Sequence, residues 1–340
     1  MHRAVVLTLT VIGVGCTFGL ADVVEQPPRD TRDTGVAIEA SCSPDLNTDP
    51  LHCGRCGHSC LGGACVAGAC GAVNLTVPIA SPGGIALDDT HVFWTSTLTG
   101  DIYRANKDGT SPSSLGAQSN ALSIAVFGGG LAYSSPSAKI VGVANTVEKK
   151  PFVTVGSDQA VSWGYVAIDD AYVYWTDPVA GNVMRSSRTT PMPFKLAVGE
   201  NAPHSVFIDG DTLLWTTAGG ELVRANKDGS GRKVIAGGLG SPTHLAAGGG
   251  AAFVTDTAAA SVTRIALDTG AKVVIATGQP DAHGIIADGS TLYWTSKSVI
   301  RYDGTTVSVF AESTGVHRIA VDATAVYWTE YAGGVKRKAK

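Results

Sequence analysis

Four of the chain's eight histidines stand at one register of a repeat. His204, His283 and His317 each precede a tryptophan (Trp215, Trp294, Trp328) by eleven residues. His244 precedes Val254, which holds the same place in its own copy, by ten. Imidazoles recurring on neighbouring units could meet at one mouth. Converged, they would suit a divalent transition metal able to activate water or polarise a carbonyl. The competing reading is inheritance, each ring bonding its own loop in blades copied from one ancestor. Asp281, near His283, is the one close carboxylate that could act as a base. There is no Gly-rich phosphate loop, no Gly-x-Ser-x-Gly elbow and no Asp-x-Asp-x-Asp-Gly calcium loop.

Cysteine is the second reactive residue type. Cys42, Cys53, Cys56, Cys60, Cys65 and Cys70 crowd into 29 residues, and none follows in the remaining 270. In an exported chain such crowding means three disulfides, with the pairing open. A segment of that size (residues 42–70) cannot fold on apolar burial alone, so bridges must hold it. A zinc reading competes, because Cys53-x-x-Cys56 with His52 and His58 has ligand-like spacing.

Export is read from the first 21 residues. Arg3 precedes an apolar run over 4–15, too short for a comfortable membrane span. Two cleavage readings stand. Gly19-Leu20-Ala21 suits simple secretion, whereas Gly15-Cys16 suits a lipoprotein in which Cys16 carries the lipid and anchors the chain at the cell envelope, as in an outer-membrane lipoprotein. Residues 22–41 are polar, contain Pro27 and Pro28, and read as a flexible tether.

What must position the histidines is a repeat over 71–340. It reads Phe93-Trp94-Thr95-Ser96, Tyr174-Trp175-Thr176-Asp177, Leu214-Trp215-Thr216-Thr217, Tyr293-Trp294-Thr295-Ser296 and Tyr327-Trp328-Thr329-Glu330, with worn copies at Ala132-Tyr133-Ser134-Ser135 and Phe253-Val254-Thr255-Asp256. The central positions are separated by 39, 42, 40, 39, 40 and 34 residues. A period near 40 with strand-like content predicts an all-β fold, a β-propeller with one copy per blade. Seven copies predict seven blades. The last copy stops after three strands, and residues 73–80 look like a lone fourth strand that closes the ring and removes its sheet edges. A closed ring is expected to be a monomer. The 42 glycines suit its many tight turns. Asp88, Asp169, Asp209, Asp288 and Asp322 recur after the first strand, and Arg104, Arg185, Arg224, Arg264, Arg301 and Arg337 on the third. Both sets are read as turn caps and inter-blade pairs, and the tryptophans as packing anchors. The basic run Lys336-Arg337-Lys338-Ala339-Lys340 is read as a solvated chain end, with an anionic surface as the alternative.

Two resemblances follow from these motifs. The Cys-Gly-x-Cys-Gly-x-x-Cys pattern over Cys53–Cys60 resembles the Cys-rich motif of the stigma-specific protein family, also common in exported bacterial proteins, and implies a small structural or adhesive module. Tyr174-Trp175-Thr176-Asp177, with Ile102-Tyr103-Arg104 and Asp108-Gly109, resembles the low-density-lipoprotein-receptor class B repeat. That resemblance implies a propeller face that binds protein ligands without catalysis. It also implies six blades, the alternative to the seven counted here.

Net charge is −4, with no basic stripe for nucleic acid. The expectation is an exported, non-enzymatic binding protein, secreted or at the cell surface, whose propeller face meets a protein, peptide or glycan. No cofactor is expected. The alternatives are a metal-dependent lyase or hydrolase using the His204, His244, His283 and His317 arc, and a purely structural surface protein.

Overall fold

The structure, a computed structural model, describes residues 45–75, 81–117, 120–136, 138–146, 153–156 and 165–340. The signal segment 1–21, the tether 22–41, Cys16 and Cys42 lie outside the described residues, as do 76–80 of the closing strand. No helix among the described residues is long and apolar enough to cross a membrane.

Seven four-stranded antiparallel sheets form a ring. Blade 4 shows the plan, with strands a to d at Pro203–Asp209, Thr212–Thr217, Glu221–Asn226 and Lys233–Ala236. The a strands begin at Pro82, Ser123, Val166, Pro203, Pro242, Ile285 and Val316 for blades 1 to 7. Each a strand packs against the a strand of the next blade, and that of blade 7 (Val316–Val321) packs against that of blade 1 (Pro82–Leu87). The ring thus has seven blades, not the six that the class B resemblance implies. Blade 7 takes its fourth strand from Val73–Asn74, with Val73 opposite Arg337 and Asn74 opposite Lys336. The basic run is therefore the third strand of blade 7 (Gly334–Ala339) rather than a free end. Its charges are engaged: Lys336 pairs with Glu330 at 2.9 Å and Lys340 with Asp288 at 2.5 Å.

The b strands explain the repeat. They are buried on both faces because each blade is sandwiched between two others, and Trp94, Trp175, Trp215, Trp294 and Trp328 are all 0% exposed. The repeat threonine, which follows the tryptophan or, in blade 5, Val254, laces blades together. Its hydroxyl donates to a backbone carbonyl of the following blade: Thr176 to His204 O at 2.6 Å, Thr255 to His283 O at 3.1 Å, Thr295 to His317 O at 2.8 Å and Thr329 to Gly83 O at 3.2 Å. These oxygens would otherwise be buried carbonyls without a donor.

Two members of each set, Asp169 and Asp322 with Arg185 and Arg337, do the structural work read from their register. Asp169 Oδ1 accepts the backbone N–H of Ala171 (3.0 Å) and Tyr172 (2.8 Å), and Oδ2 accepts from Tyr174 Oη (3.1 Å) and pairs with Lys227 of blade 4 (2.9 Å). Asp322 repeats the motif with Thr324, Ala325, Tyr327 and Lys107 of blade 1. The arginines complete the clamp. Arg185 donates to Lys227 O at 2.8 Å and Arg337 to Lys107 O at 2.6 Å. Both lysines sit in Asn-Lys-Asp-Gly turns whose glycines, Gly109 (φ +89°) and Gly229 (φ +91°), take the left-handed conformation. A Cβ at Gly109 would meet Leu75 O at 2.7 Å, so the turn also rests on the ring-closing segment.

Glu200 is buried between blades 3 and 4. Arg232 holds it in a fork, Nε to Oε1 at 2.6 Å and Nη2 to Oε2 at 3.0 Å, and Trp215 Nε1 donates to Oε2 at 3.0 Å. Arg232→Ala is expected to cost about 2–3 kcal/mol. That is below the loss typical of a fully buried pair, because Arg232 keeps 41% of its side-chain surface in water. Urea unfolding reads this, with Glu200→Gln expected to recover part of the loss in the Arg232→Ala background. A change within about 0.5 kcal/mol would show that the fork contributes no more than an ordinary surface site.

The cysteine module is bridged by Cys53–Cys65 and Cys60–Cys70, and Cys56 is disulfide-bonded as well. The zinc reading is corrected here. The sulfurs are oxidised, His52 Nδ1 accepts the Gly57 N–H at 3.0 Å, and His58 places Nδ1 and Nε2 each 2.6 Å from the backbone oxygens of Cys53 and Lys340. Cys53, Cys60 and Cys70 bring their sulfurs within 4.8 Å of one another, but disulfide sulfurs offer no thiolate to a metal. The module packs its sulfurs against Ala339 of blade 7, and Arg337 donates to Leu61 O.

Candidate functional site at the propeller axis

The b-strand aromatic sets the register of each a strand. Ile85, Ile124, Val166, Val206, Leu245, Ile285 and Ile319 pair with Trp94, Tyr133, Trp175, Trp215, Val254, Trp294 and Trp328. The residue just before each of these faces the axis: Gly84, Ser123, Tyr165, Ser205, His244, Gly284 and Arg318 line a central cavity of about 150 Å³. His204, His283 and His317 stand one residue earlier. The four histidines therefore occupy two levels. The ten-residue spacing of His244, against eleven for the others, is the signature of that step. A one-residue pairing irregularity near the start of strand a recurs in these blades alike, between Pro203 and Val206, Pro242 and His244, and Val316 and Ile319.

The rings nevertheless meet. Successive centroids lie 6.1 Å apart for His204–His244, 5.8 Å for His244–His283 and 5.6 Å for His283–His317, all edge-to-face. Tyr165 joins one end, 4.9 Å from His204 and 4.8 Å from His244, and Tyr331 stacks on His317 at 4.7 Å at the other. Across the axis comes Arg318 of blade 7. Its Nη1 donates to His244 Nε2, its Nη2 donates to Tyr165 Oη at 2.7 Å, and its guanidinium lies 5.0 Å over the Tyr165 ring.

These contacts set the protonation. Burial pushes all four imidazoles below their ordinary value, and the Arg318 charge adds to it: His244 well below, His317 to about 2, His204 and His283 downward. At His204 the carbonyl of Thr243 opposes the shift by accepting from Nδ1 at 2.7 Å, and at His283 the Asp281 charge opposes it. The arc is a set of neutral imidazoles around one buried cation. His244 Nε2 accepts from Arg318, which leaves the proton on Nδ1, and among the described residues that nitrogen has no partner; nor does Nδ1 of His317.

The metal reading of the arc does not fit this arrangement. Among the described residues only the three cysteine sulfurs bring donor atoms of three such residues within 4.8 Å of one another. The rings meet edge to face rather than around a common point, and a guanidinium occupies the Nε2 of the most axial one. Sequence reasoning found the histidines and missed Arg318, Tyr165 and Tyr331. One signal could have exposed the first two. They lie eleven residues before Thr329 and Thr176, as His244 lies eleven before Thr255.

The chain is a seven-bladed β-propeller preceded by a disulfide-bonded module. No protein-family model matches it, and no curated protein does. Among solved structures it is similar to virginiamycin B lyase from Staphylococcus aureus (15% identity, TM-score 0.68, covering 79% of this chain and 98% of that one). It is also similar to a catalytically inactive His-to-Ala variant of that lyase with quinupristin (14% identity, TM-score 0.68, 79% and 98% covered). BamB from Moraxella catarrhalis is similar at 13% identity and TM-score 0.57, covering 77% of this chain and 84% of that one. Identities this low establish the shared ring and nothing finer.

Proposed function

We propose that this is an exported binding protein, secreted or held at the cell envelope, whose ligand face is the axial mouth lined by Tyr165, His204, His244, His283, His317, Arg318 and Tyr331. The ligand class is an extracellular protein, peptide or glycan. One observation carries the reading: residues from five blades build a continuous aromatic and imidazole surface around a cation with no ion-pair partner among the described residues, and Nδ1 of His244 and Nδ1 of His317 have no hydrogen-bond partner there either. A recognition site has this form, an aromatic wall with a few fixed polar groups. The propellers similar in fold include a lyase, so the ring itself is compatible with catalysis as well. Binding is favoured here by the aromatic walls and fixed polar groups at the axial mouth.

The test is a screen of the immobilised full chain against secreted-protein, peptide and glycan libraries, repeated with His204→Ala, His283→Ala and His317→Ala. A ligand whose affinity falls at least about tenfold in these variants is expected. Silence in every library would favour the structural role. Stoichiometric metal in the purified chain, lost in the same variants, would restore the enzyme reading.

A further inference from the structure

Arg318 is 9% exposed, and none of the ion pairs among the described residues includes it. Its hydrogen-bond partners are an imidazole nitrogen and a phenol, both neutral. Two of its five N–H groups are thus used, and the rest have no acceptor among the described residues. A guanidinium removed from water normally needs an anion beside it. The apparent exception here sits on the channel axis. Gly84, Ser123, Ser205 and Gly284 bring no bulk to the same level, so volume remains beside the charge.

We infer that the axial cavity takes the terminal carboxylate of a peptide inserted end-on, with Arg318 as its anchor; this rests on the binding role proposed above and names its ligand. The charge count selects a monovalent group. Arg318 is the cation among neutral imidazoles, which balances one carboxylate but not a phosphate dianion. Size selects the bearer. About 150 Å³ accommodates a carboxyl group and a small residue, and a chain end is the narrowest carrier of one. A uronic acid would have to bring its pyranose ring down the axis with it. At the rim, Tyr331, 50% exposed, offers a stacking face to the preceding residue.

The experiment uses the full chain and a mixed hexapeptide library in two forms, free acid and C-terminal amide. Free-acid peptides are expected to bind, and amidation is expected to weaken them at least about thirtyfold, as does Arg318→Met. Arg318→Lys, which keeps the charge and loses the fork, is expected to lose about tenfold. The melting temperature supplies a readout independent of binding. An arginine serving only the fold would lower it on Arg318→Met, whereas one awaiting an anion leaves it unchanged or raises it. Equal binding of acid and amide, stronger binding of glucuronate oligosaccharides, or competition by inorganic phosphate ahead of acetate would overturn the inference. If the library screen finds a ligand that Arg318→Met binds normally, the carboxylate assignment fails while the binding role stands. Silence in that screen sinks the binding role itself.

Discussion

Lowering the pH from 7 to 5 is expected to destabilise the propeller by about 2 kcal/mol through His317 alone, with His244 adding to the loss in the same direction. Burial, and after it the charge of the neighbouring Arg318 guanidinium, holds His244 well below its ordinary value and His317 at about 2. Between the ordinary value of 6.5 and those folded values, the unfolded chain carries protons that the native state refuses. Unfolding is then favoured as protons are added, by about 1.4 kcal/mol per pH unit for each ring once the pH is well below 6.5. His204 and His283 shift the same way and add to the effect, with Asp281 opposing at His283. The carboxylates act lower down. Asp322 is held near 2 by its backbone donors and Lys107, against the burial that opposes them, so its contribution is lost only below its ordinary 3.8. Denaturant unfolding at pH 7, 6 and 5 reads the slope, and the double variant His244→Gln with His317→Gln should flatten it. An unfolding free energy that stays level between pH 7 and pH 5 would refute the neutral-arc description.

Trp215→Ala is expected to cost about 3–5 kcal/mol, the loss typical of a large buried aromatic. The indole is 0% exposed, packs with Leu213, Val206 and Val223, and donates to Glu200. The more telling contrast is substitution by phenylalanine. Trp294 donates to Gln279 at 2.9 Å as Trp215 does to Glu200, so Trp215→Phe and Trp294→Phe each leave a polar partner short of a donor. The indole N–H groups of Trp94 and Trp175 are buried with no acceptor among the described residues. Trp94→Phe and Trp175→Phe remove an unsatisfied donor, and each should be milder by about 1 kcal/mol than its bonded counterpart. Equal costs at all four positions would show that the indole hydrogen bonds carry no stability.

The ring was legible because its cause is repeated. One hydrophobic-Trp-Thr strand per blade recurs near every 40 residues, and a blade buried on both faces needs that strand. The Asp and Arg positions were legible for the same reason, since a clamp used at Asp169 and again at Asp322 leaves a spaced signature, whereas the lysines Lys107 and Lys227 that complete it emerged only from the structure. The site was legible only where it recurs. His204, His283 and His317 share a register, so they stood out. Arg318 and Tyr165 share with His244 the place eleven residues before the repeat threonine, but three different residue types stand there, so the shared register is hidden.

The chain's order of residues determined that seven sheets form, which strand lies buried in each, and that histidines gather on blades 4 to 7. Those outcomes follow from local pairing and burial, which a repeat writes into the sequence. Only the closed ring turned the one-residue offset of His244, already present in the sequence, into a second level of the axis beside Tyr165 and Arg318. Only the closed ring brings Arg318 against Tyr165, 153 residues away in the chain and across the channel. Curvature accumulated over seven blades fixes that meeting, and no short stretch of sequence contains it.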